Sequence, residues 1–354
     1  MTREHTDRIT VGGVPVGGGA PVTVQSMCST RTDDPAATLA QMRALHAAGC
    51  DIIRVAVPDA AAADALPAIM AEAPMPVVAD IHFDYRLALR AAEAGVHAIR
   101  INPGNIGAPD RVRAVADACR ERGIPIRVGV NTGSVEKRLL QKYGGPTAEA
   151  LVESAADELA ALYGFGFHDV ALSVKASDVP TAVRAYRLAA ERFSCPLHVG
   201  VTEAGTSYTG LVNSAAGIGT LLMEGIGDTV RVSLTADPAE EVRAGLAILR
   251  ACGLRRGGVR LVSCPTCGRT RIDLISLAKA AEARLSNLDR DITVAVMGCE
   301  VNGPGEAKDA DLGMALGKDC AIYFEHGEII KKFDDQDAAF DYLTDRVREI
   351  EKIS

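Results

Sequence analysis

The sequence predicts a (β/α)8 barrel followed by a small α+β domain, and three observations carry that expectation. Between residues 22 and 252 a short β-branched run, a turn and an amphipathic alanine-rich segment recur eight times. After Leu254-Arg255-Arg256-Gly257-Gly258 the alternation changes. Five of the runs also carry paired polar residues near their C-terminal ends, where the active face of such a barrel lies.

Taken in order, the runs cover residues 22–27, 51–57, 76–82, 97–102, 125–131, 169–175, 196–203 and 229–235, with helical segments such as 36–48, 111–122 and 181–192 between them. Eight β-α units over this span outline a closed barrel; an open doubly wound sheet has no need of eight such regular units. The glycine-rich lead at 10–19 is expected to form a hairpin or plug closing the bottom of the barrel. Residues 1–254 are thus assigned to a TIM barrel and 254–258 to a linker. Residues 259–354 then form the small domain, with strands at 259–263 and 292–297, a helix at 271–286, and antiparallel pairing of 311–317 with 321–332 through a tight turn at His326-Gly327. A closing helix presents Phe340, Leu343, Val347 and Ile350 on one face.

The 354 residues are 48% hydrophobic and 24% charged, with a net charge of -8. That balance disfavours generic binding to nucleic acid or an anionic membrane. The start, Met1-Thr2-Arg3-Glu4-His5, has no apolar signal core, and no stretch reaches about 18 uninterrupted apolar residues. A cytoplasmic protein is expected. Of nine cysteines, Cys50, Cys119, Cys195 and Cys252 stand singly beside apolar segments and read as small buried hydrophobes.

A parallel barrel strand should be almost wholly apolar. Here Asp80 and His82, Arg100 and Asn102, Ser173 and Lys175, and Arg231 and Ser233 are each two apart, and Arg127 and Asn131 flank Gly129 four apart. Alternation puts each pair on one face. If that face is inward, Arg54, Arg100, Arg127 and Lys175 meet at the barrel mouth with Glu203 and Ser233. One strand arginine is equally well an edge residue; five strands with the same lapse are not, because an unpaired buried cation costs several kcal/mol by order of magnitude. Clustered cations imply a phosphate or diphosphate ligand. Asp80 and His82 read equally as ligand contacts or as a rim pair supporting the arginines. Gly217-Ile218-Gly219-Thr220 reads either as a helix start offering amides to the anion or as a simple turn.

In the second domain, Cys264-Pro265-Thr266-Cys267-Gly268-Arg269 is followed by Met297-Gly298-Cys299-Glu300-Val301-Asn302-Gly303-Pro304-Gly305-Glu306. One C-x2-C admits zinc, but no second close pair follows; Cys320 starts a strand and is expected to pack. The spacing leaves iron–sulfur and zinc both open. These two segments, with Ile99-Arg100-Ile101-Asn102-Pro103-Gly104-Asn105, Arg127-Val128-Gly129-Val130-Asn131 and Gly200-Val201-Thr202-Glu203-Ala204-Gly205, resemble the 4-hydroxy-3-methylbut-2-enyl diphosphate synthase family over essentially the whole chain.

The resemblance implies a [4Fe-4S] cluster held by Cys264, Cys267, Cys299 and Glu306, in a domain (259–354) similar to the cluster domain of sulfite and nitrite reductases. It implies 2-C-methyl-D-erythritol 2,4-cyclodiphosphate as substrate, flavodoxin or ferredoxin as electron donor, and a homodimer in which one subunit's cluster domain caps the other's barrel. Arg54, Arg100, Arg127 and Lys175 would hold the diphosphate. Asn102, Asn131 and Ser233, with Asp80 and His82, would line the site, and Glu203 would donate a proton. Where the family often has threonine after the methionine, this chain has Cys28, read as a bystander thiol. Two other classes stand beside this reading: a metal-independent barrel enzyme with a structural zinc domain, and a non-enzymatic iron–sulfur carrier.

Overall fold

The computed structural model describes residues 1–268, 270, 272–285, 288, 290–299, 305, 307–318 and 320–350, in two compact units, Met1–Arg255 and Arg256–Ser354. Among the described residues no helix is long and apolar enough to cross a membrane.

The first unit opens with an antiparallel hairpin, β1 (Ile9–Val11) and β2 (Val14–Val16). Eight parallel strands follow: β3 (Thr23–Met27), β4 (Ile52–Ala56), β5 (Val77–Asp80), β6 (Ala98–Ile101), β7 (Ile126–Asn131), β8 (Val170–Lys175), β9 (His198–Val199) and β10 (Thr229–Val230). They lie in the order β8-β7-β6-β5-β4-β3-β10-β9, and a parallel bridge between Leu172 and Leu197 joins the two ends into a barrel.

The helices are α1 (Pro35–Ala47), α2 (Ala60–Glu72), α3 (Tyr85–Glu93), α4 (Pro103–Ile106), α5 (Pro109–Arg122), α6 (Lys137–Tyr143), α7 (Ala148–Gly164), α8 (Val179–Arg192), α9 (Ser207–Met223) and α10 (Pro238–Ala251). Their starts are written in the sequence. Asp34, Asp59, Asp84, Asp178 and Asp237 each accept an amide hydrogen bond at the N-cap, satisfying a donor that the first turn leaves open.

Helix-facing side chains such as Ile53, Val55, Ile99, Ile101, Leu172 and Val199 pack into the main core. Their neighbours point into the lumen. At its lower end Ile52, Val78, Ala98 and Ala171 pack with Ile9, Val11 and Val16 of the hairpin, so the lead segment closes the barrel floor. The expected runs at 196–203 and 229–235 shorten to two residues each; beyond Val199 the backbone is irregular and carries Glu203 at φ +52°.

The second unit holds a five-stranded mixed sheet in the order β11 (Val259–Ser263), β12 (Ile292–Met297), β13 (Leu312–Leu316), β14 (Ala321–Glu325) and β15 (Glu328–Phe333). The first three strands are parallel and the last two antiparallel. The expected antiparallel pairing and tight turn are present: β14 folds back into β15 at His326-Gly327, two residues with positive φ. Helices α11 (Leu274–Leu285) and α12 (Gln336–Glu349) cover the sheet with Leu274, Ala281, Leu285, Phe340, Leu343 and Val347.

Candidate active site and cysteine centre

Two residues above the apolar floor, the same strands turn polar. Arg54 follows Ile52, Asp80 follows Val78, Arg100 follows Ala98 and Ser173 follows Ala171, as a period of two requires. Asp80, 3% exposed, stands between two cations, with Arg54 Nε at 3.5 Å and Arg100 Nη1 at 3.2 Å. Burial pushes the Asp80 carboxyl up, but Arg54 and Arg100 together outweigh it and hold the group below its ordinary value. Arg54 also donates to Met27 Sδ at 3.0 and 3.2 Å, and burial draws its pKa down to about 10 against the pull of Asp80. Arg100 donates to the Gly129 carbonyl at 3.0 Å. A Cβ at Gly129 would stand 2.5 Å from Arg100 Nε, so the inward glycine makes room for that guanidinium.

The remaining cations have less. Arg127 Nη1 donates to Gln25 Oε1 at 3.0 Å, and Gln25 Nε2 to Thr229 Oγ1 at 3.0 Å. Arg127 Nε and Nη2 are buried with no partner among the described residues. Lys175 has neither ion pair nor side-chain hydrogen bond among the described residues, and Gly200 leaves space for it, since a Cβ there would meet Nζ at 3.0 Å. Burial, then the neighbouring cations, hold both Arg127 and Lys175 well below their ordinary values. Arg231 is paired with Glu241 of α10 at 3.2 Å, and Glu241 also takes Ser26 Oγ and the Leu234 amide.

Five cations thus face two carboxylates, with donors left over on Arg127 and Lys175. Buried donors without acceptors are costly, and like charges crowded in a low dielectric repel. A polyanion answers both. Other sequence-predicted residues take different places. Asn102, 2% exposed, caps α4 through Oδ1 to the Asn105 amide, with Nδ2 unpartnered among the described residues. Asn131 Oδ1 closes its own turn by accepting from Gly133 N. Ser233 is half-buried past β10, and His82 and Glu203 are exposed beyond the strand ends. At Glu203 the left-handed backbone is strained for a side-chain-bearing residue, as is common at functional loops.

Four contributors escaped the sequence reading. Gln25 and Glu241 looked like ordinary polar residues of a strand and a helix. Arg231 belonged to a noted pair but was not enlisted. His198 is fully buried, with both ring nitrogens unpartnered among the described residues; burial and then Arg127 and Lys175 keep it neutral. Its signal was a histidine inside an otherwise apolar run. The reading of Gly217-Ile218-Gly219-Thr220 as an anion-facing helix start is corrected, because these residues lie within α9, where Gly217 packs against Val201. Cys28 is buried and its thiol is pushed up to about 12 by that burial, which makes it inert.

In the second unit, parallel pairing of β11 with β12 aligns Ser263 with Val296. Cys264 therefore leaves the same sheet edge that Cys299 leaves after β12. The Gly298 amide donates to Cys264 Sγ at 3.4 Å, and the Cys267 and Thr270 backbones hold one turn through Thr270 Oγ1 and the Cys267 carbonyl. Among the described residues no three His, Cys, Asp or Glu side chains stand close enough together to hold a metal ion; Glu306, the expected fourth ligand, lies outside the described residues. The donor set suits a soft metal in kind, with thiols outside any disulfide on two neighbouring loops and a backbone amide directed at sulfur.

Residues 6–246 match the GcpE TIM-barrel domain, and residues 260–349 match the GcpE protein C-terminal domain. A Geobacter sulfurreducens protein, "4-hydroxy-3-methylbut-2-en-1-yl diphosphate synthase (flavodoxin)", is 57% identical over 351 residues, covering 99% of this chain and 98% of the relative. A Clostridium perfringens protein of the same name is 55% identical over 337 residues, covering 95% and 97%. Yersinia pestis dihydropteroate synthase matches 70% of this chain and 98% of its own with a TM-score of 0.50 at 15% identity, a likeness of barrel fold alone. On the strength of both domain matches and identity above half along nearly its whole length, this chain belongs to the GcpE family.

Proposed function

We propose that this chain is an oxidoreductase acting on CH or CH2 groups. It opens the ring of 2-C-methyl-D-erythritol 2,4-cyclodiphosphate and removes a hydroxyl as water, giving (E)-4-hydroxy-3-methylbut-2-enyl diphosphate for isoprenoid biosynthesis. Flavodoxin is the electron donor, as the name of the relatives has it, with ferredoxin the alternative. The observation that carries the reading is the lumen cluster: five cations, two of them with unsatisfied donors, at the mouth of a barrel of this family.

Lys175 and Arg127 bind the diphosphate with their free donors, and Arg54 and Arg100, aimed by Asp80, complete the clamp. The diphosphate is also the ring-opening leaving group, so the same cations stabilise the charge that gathers on it. Asn102, Asn131, His82 and Ser233 line the mouth and orient the carbon skeleton. Glu203 gives a proton to the departing hydroxyl; its exposed loop lets it be protonated again from solvent. Cys264, Cys267, Cys299 and Glu306 would hold a [4Fe-4S] cluster, with the carboxylate the hardest and most replaceable ligand. When bound, such a cluster supplies electrons one at a time and a Lewis-acidic iron. The same reading takes the protein as a cytoplasmic homodimer.

The test is purification without oxygen, followed by iron analysis and a visible spectrum with and without the cyclodiphosphate. Brown protein with about four irons per chain, and a spectrum that shifts on adding substrate, is the expected result. A colourless protein with stoichiometric zinc would overturn it. Glu306→Ala should lose turnover but keep much of its iron, whereas Cys299→Ala should lose both.

A further inference from the structure

Behind the barrel mouth stands a second group of titratable residues that the chemistry above does not use. Glu158, in the middle of α7, is 4% exposed. Glu136 is the N-cap residue of α6. One oxygen of each, Glu158 Oε2 and Glu136 Oε2, is buried without a hydrogen-bond donor among the described residues. The other oxygens converge on the turn that leaves β6. The position a Cβ would take on Gly104 lies 3.4 Å from Glu158 Oε1, 4.0 Å from Glu136 Oε1 and 3.1 Å from Asn102 Oδ1. Asn102 itself is buried, and its Nδ2 has no acceptor among the described residues.

An ionised Glu158, buried and facing Glu136, would meet both desolvation and like-charge repulsion. A proton held on Glu158 removes the repulsion and leaves a neutral carboxyl in the buried site. The charged groups acting on Glu158 are Glu136, Arg100 from β6 and Asp157 on its own helix. Burial and then Glu136 push its pKa up to about 8, while Arg100 and the Gly104 amide pull the other way. Asp157 is already engaged by Arg138 of α6.

We propose that Glu158 is a positioning residue of the active site: it keeps its proton beside Glu136, and the two side chains fix the turn of residues 102–106 that carries Asn102 to the barrel mouth. This rests on the reading that Asn102 orients the substrate. Glu158 touches neither substrate nor cofactor; it acts through the turn.

The experiment uses the full chain purified without oxygen, as wild type, Glu158→Gln and Glu158→Ala, assayed with the cyclodiphosphate from pH 6.5 to 9.5. Glutamine mimics the protonated carboxyl at every pH. Wild-type KM should rise about tenfold per pH unit above about 8, with kcat changing less. Glu158→Gln should match wild type near pH 7 and lack that alkaline rise, while Glu158→Ala should show raised KM throughout. A Gln variant as poor as Ala at pH 7, or one keeping the same alkaline limb, overturns the proposal.

A second arm needs no substrate. A buried acid with a raised pKa stabilises the fold below its unfolded value and loses that contribution as pH rises toward about 8. The wild-type thermal midpoint should therefore fall more between pH 5 and 8 than that of Glu158→Gln. If this arm holds and the KM arm fails, the assignment of Asn102 to the substrate site is wrong rather than the carboxyl pair. If this arm fails, the pair itself is wrong.

Discussion

The lower and upper layers of the barrel lumen are built by the same strands, one pleat apart, and have opposite characters. Ile52, Val78, Ala98 and Ala171 meet the hairpin in a dry apolar floor. Arg54, Asp80 and Arg100, two residues further along, stand in a charged layer. The floor lowers the free energy of folding by removing apolar surface from water. The upper layer costs stability, since its cations are crowded and incompletely paired, and a bound anion would offset that cost. A period-two strand lets one segment serve both ends, provided the register holds.

Substitutions that exchange the characters of the two layers test this contrast. The largest effect is expected at Asp80. Asp80→Ala leaves Arg54 and Arg100 without their shared carboxylate and should cost about 3–5 kcal/mol in unfolding free energy; denaturant titration would show it, and substrate affinity should fall as well. Lys175→Met should do the reverse, lowering kcat/KM about 10²–10³-fold while stability holds or improves, because a buried charge is removed. Ile52→Ala in the floor should cost about 2–5 kcal/mol and leave KM unchanged; a floor variant with altered KM would erase the distinction between layers.

Smaller effects sharpen the picture. Gly129→Ala displaces Arg100 and should raise KM roughly tenfold, the equivalent of about 1.4 kcal/mol, without loss of fold. His198 gives the smallest signal and a defined sign. Its folded pKa lies below the ordinary 6.5, so the unfolded chain takes up a proton that the folded one refuses. Stability should be present above that value and decline as pH falls through it, by at most about 1.4 kcal/mol per pH unit. His198→Gln should flatten that limb of the thermal midpoint against pH.

How much of this was legible in the sequence follows from the range of each interaction. Alternation within a strand involves residues two apart, so Arg54, Asp80, Arg100, Arg127 and Lys175 stand out as a set from the residue pattern alone. The N-caps of the helices are equally local. Gln25 and Glu241 are not of that kind: Gln25 acquires meaning only because Arg127, 102 residues away, donates to it, and Glu241 because Ser26 and Arg231 do. Neither residue type is unusual where it stands. Gly217 to Thr220 misled for the same reason, as a glycine pair has no fixed meaning until the helix around it is known to continue.

The sequence by itself determined the eightfold β-α repeat, the cations at the strand ends and the cysteine spacing, all of which rest on short-range periodicity and on side-chain chemistry. The tertiary structure alone decided which cations are paired and which are left with free donors. It also decided that Glu158 and Glu136 converge on the turn at Gly104. The physical reason is that burial and electrostatic coupling depend on distance in space, and closing the barrel brings together charges that the chain keeps far apart.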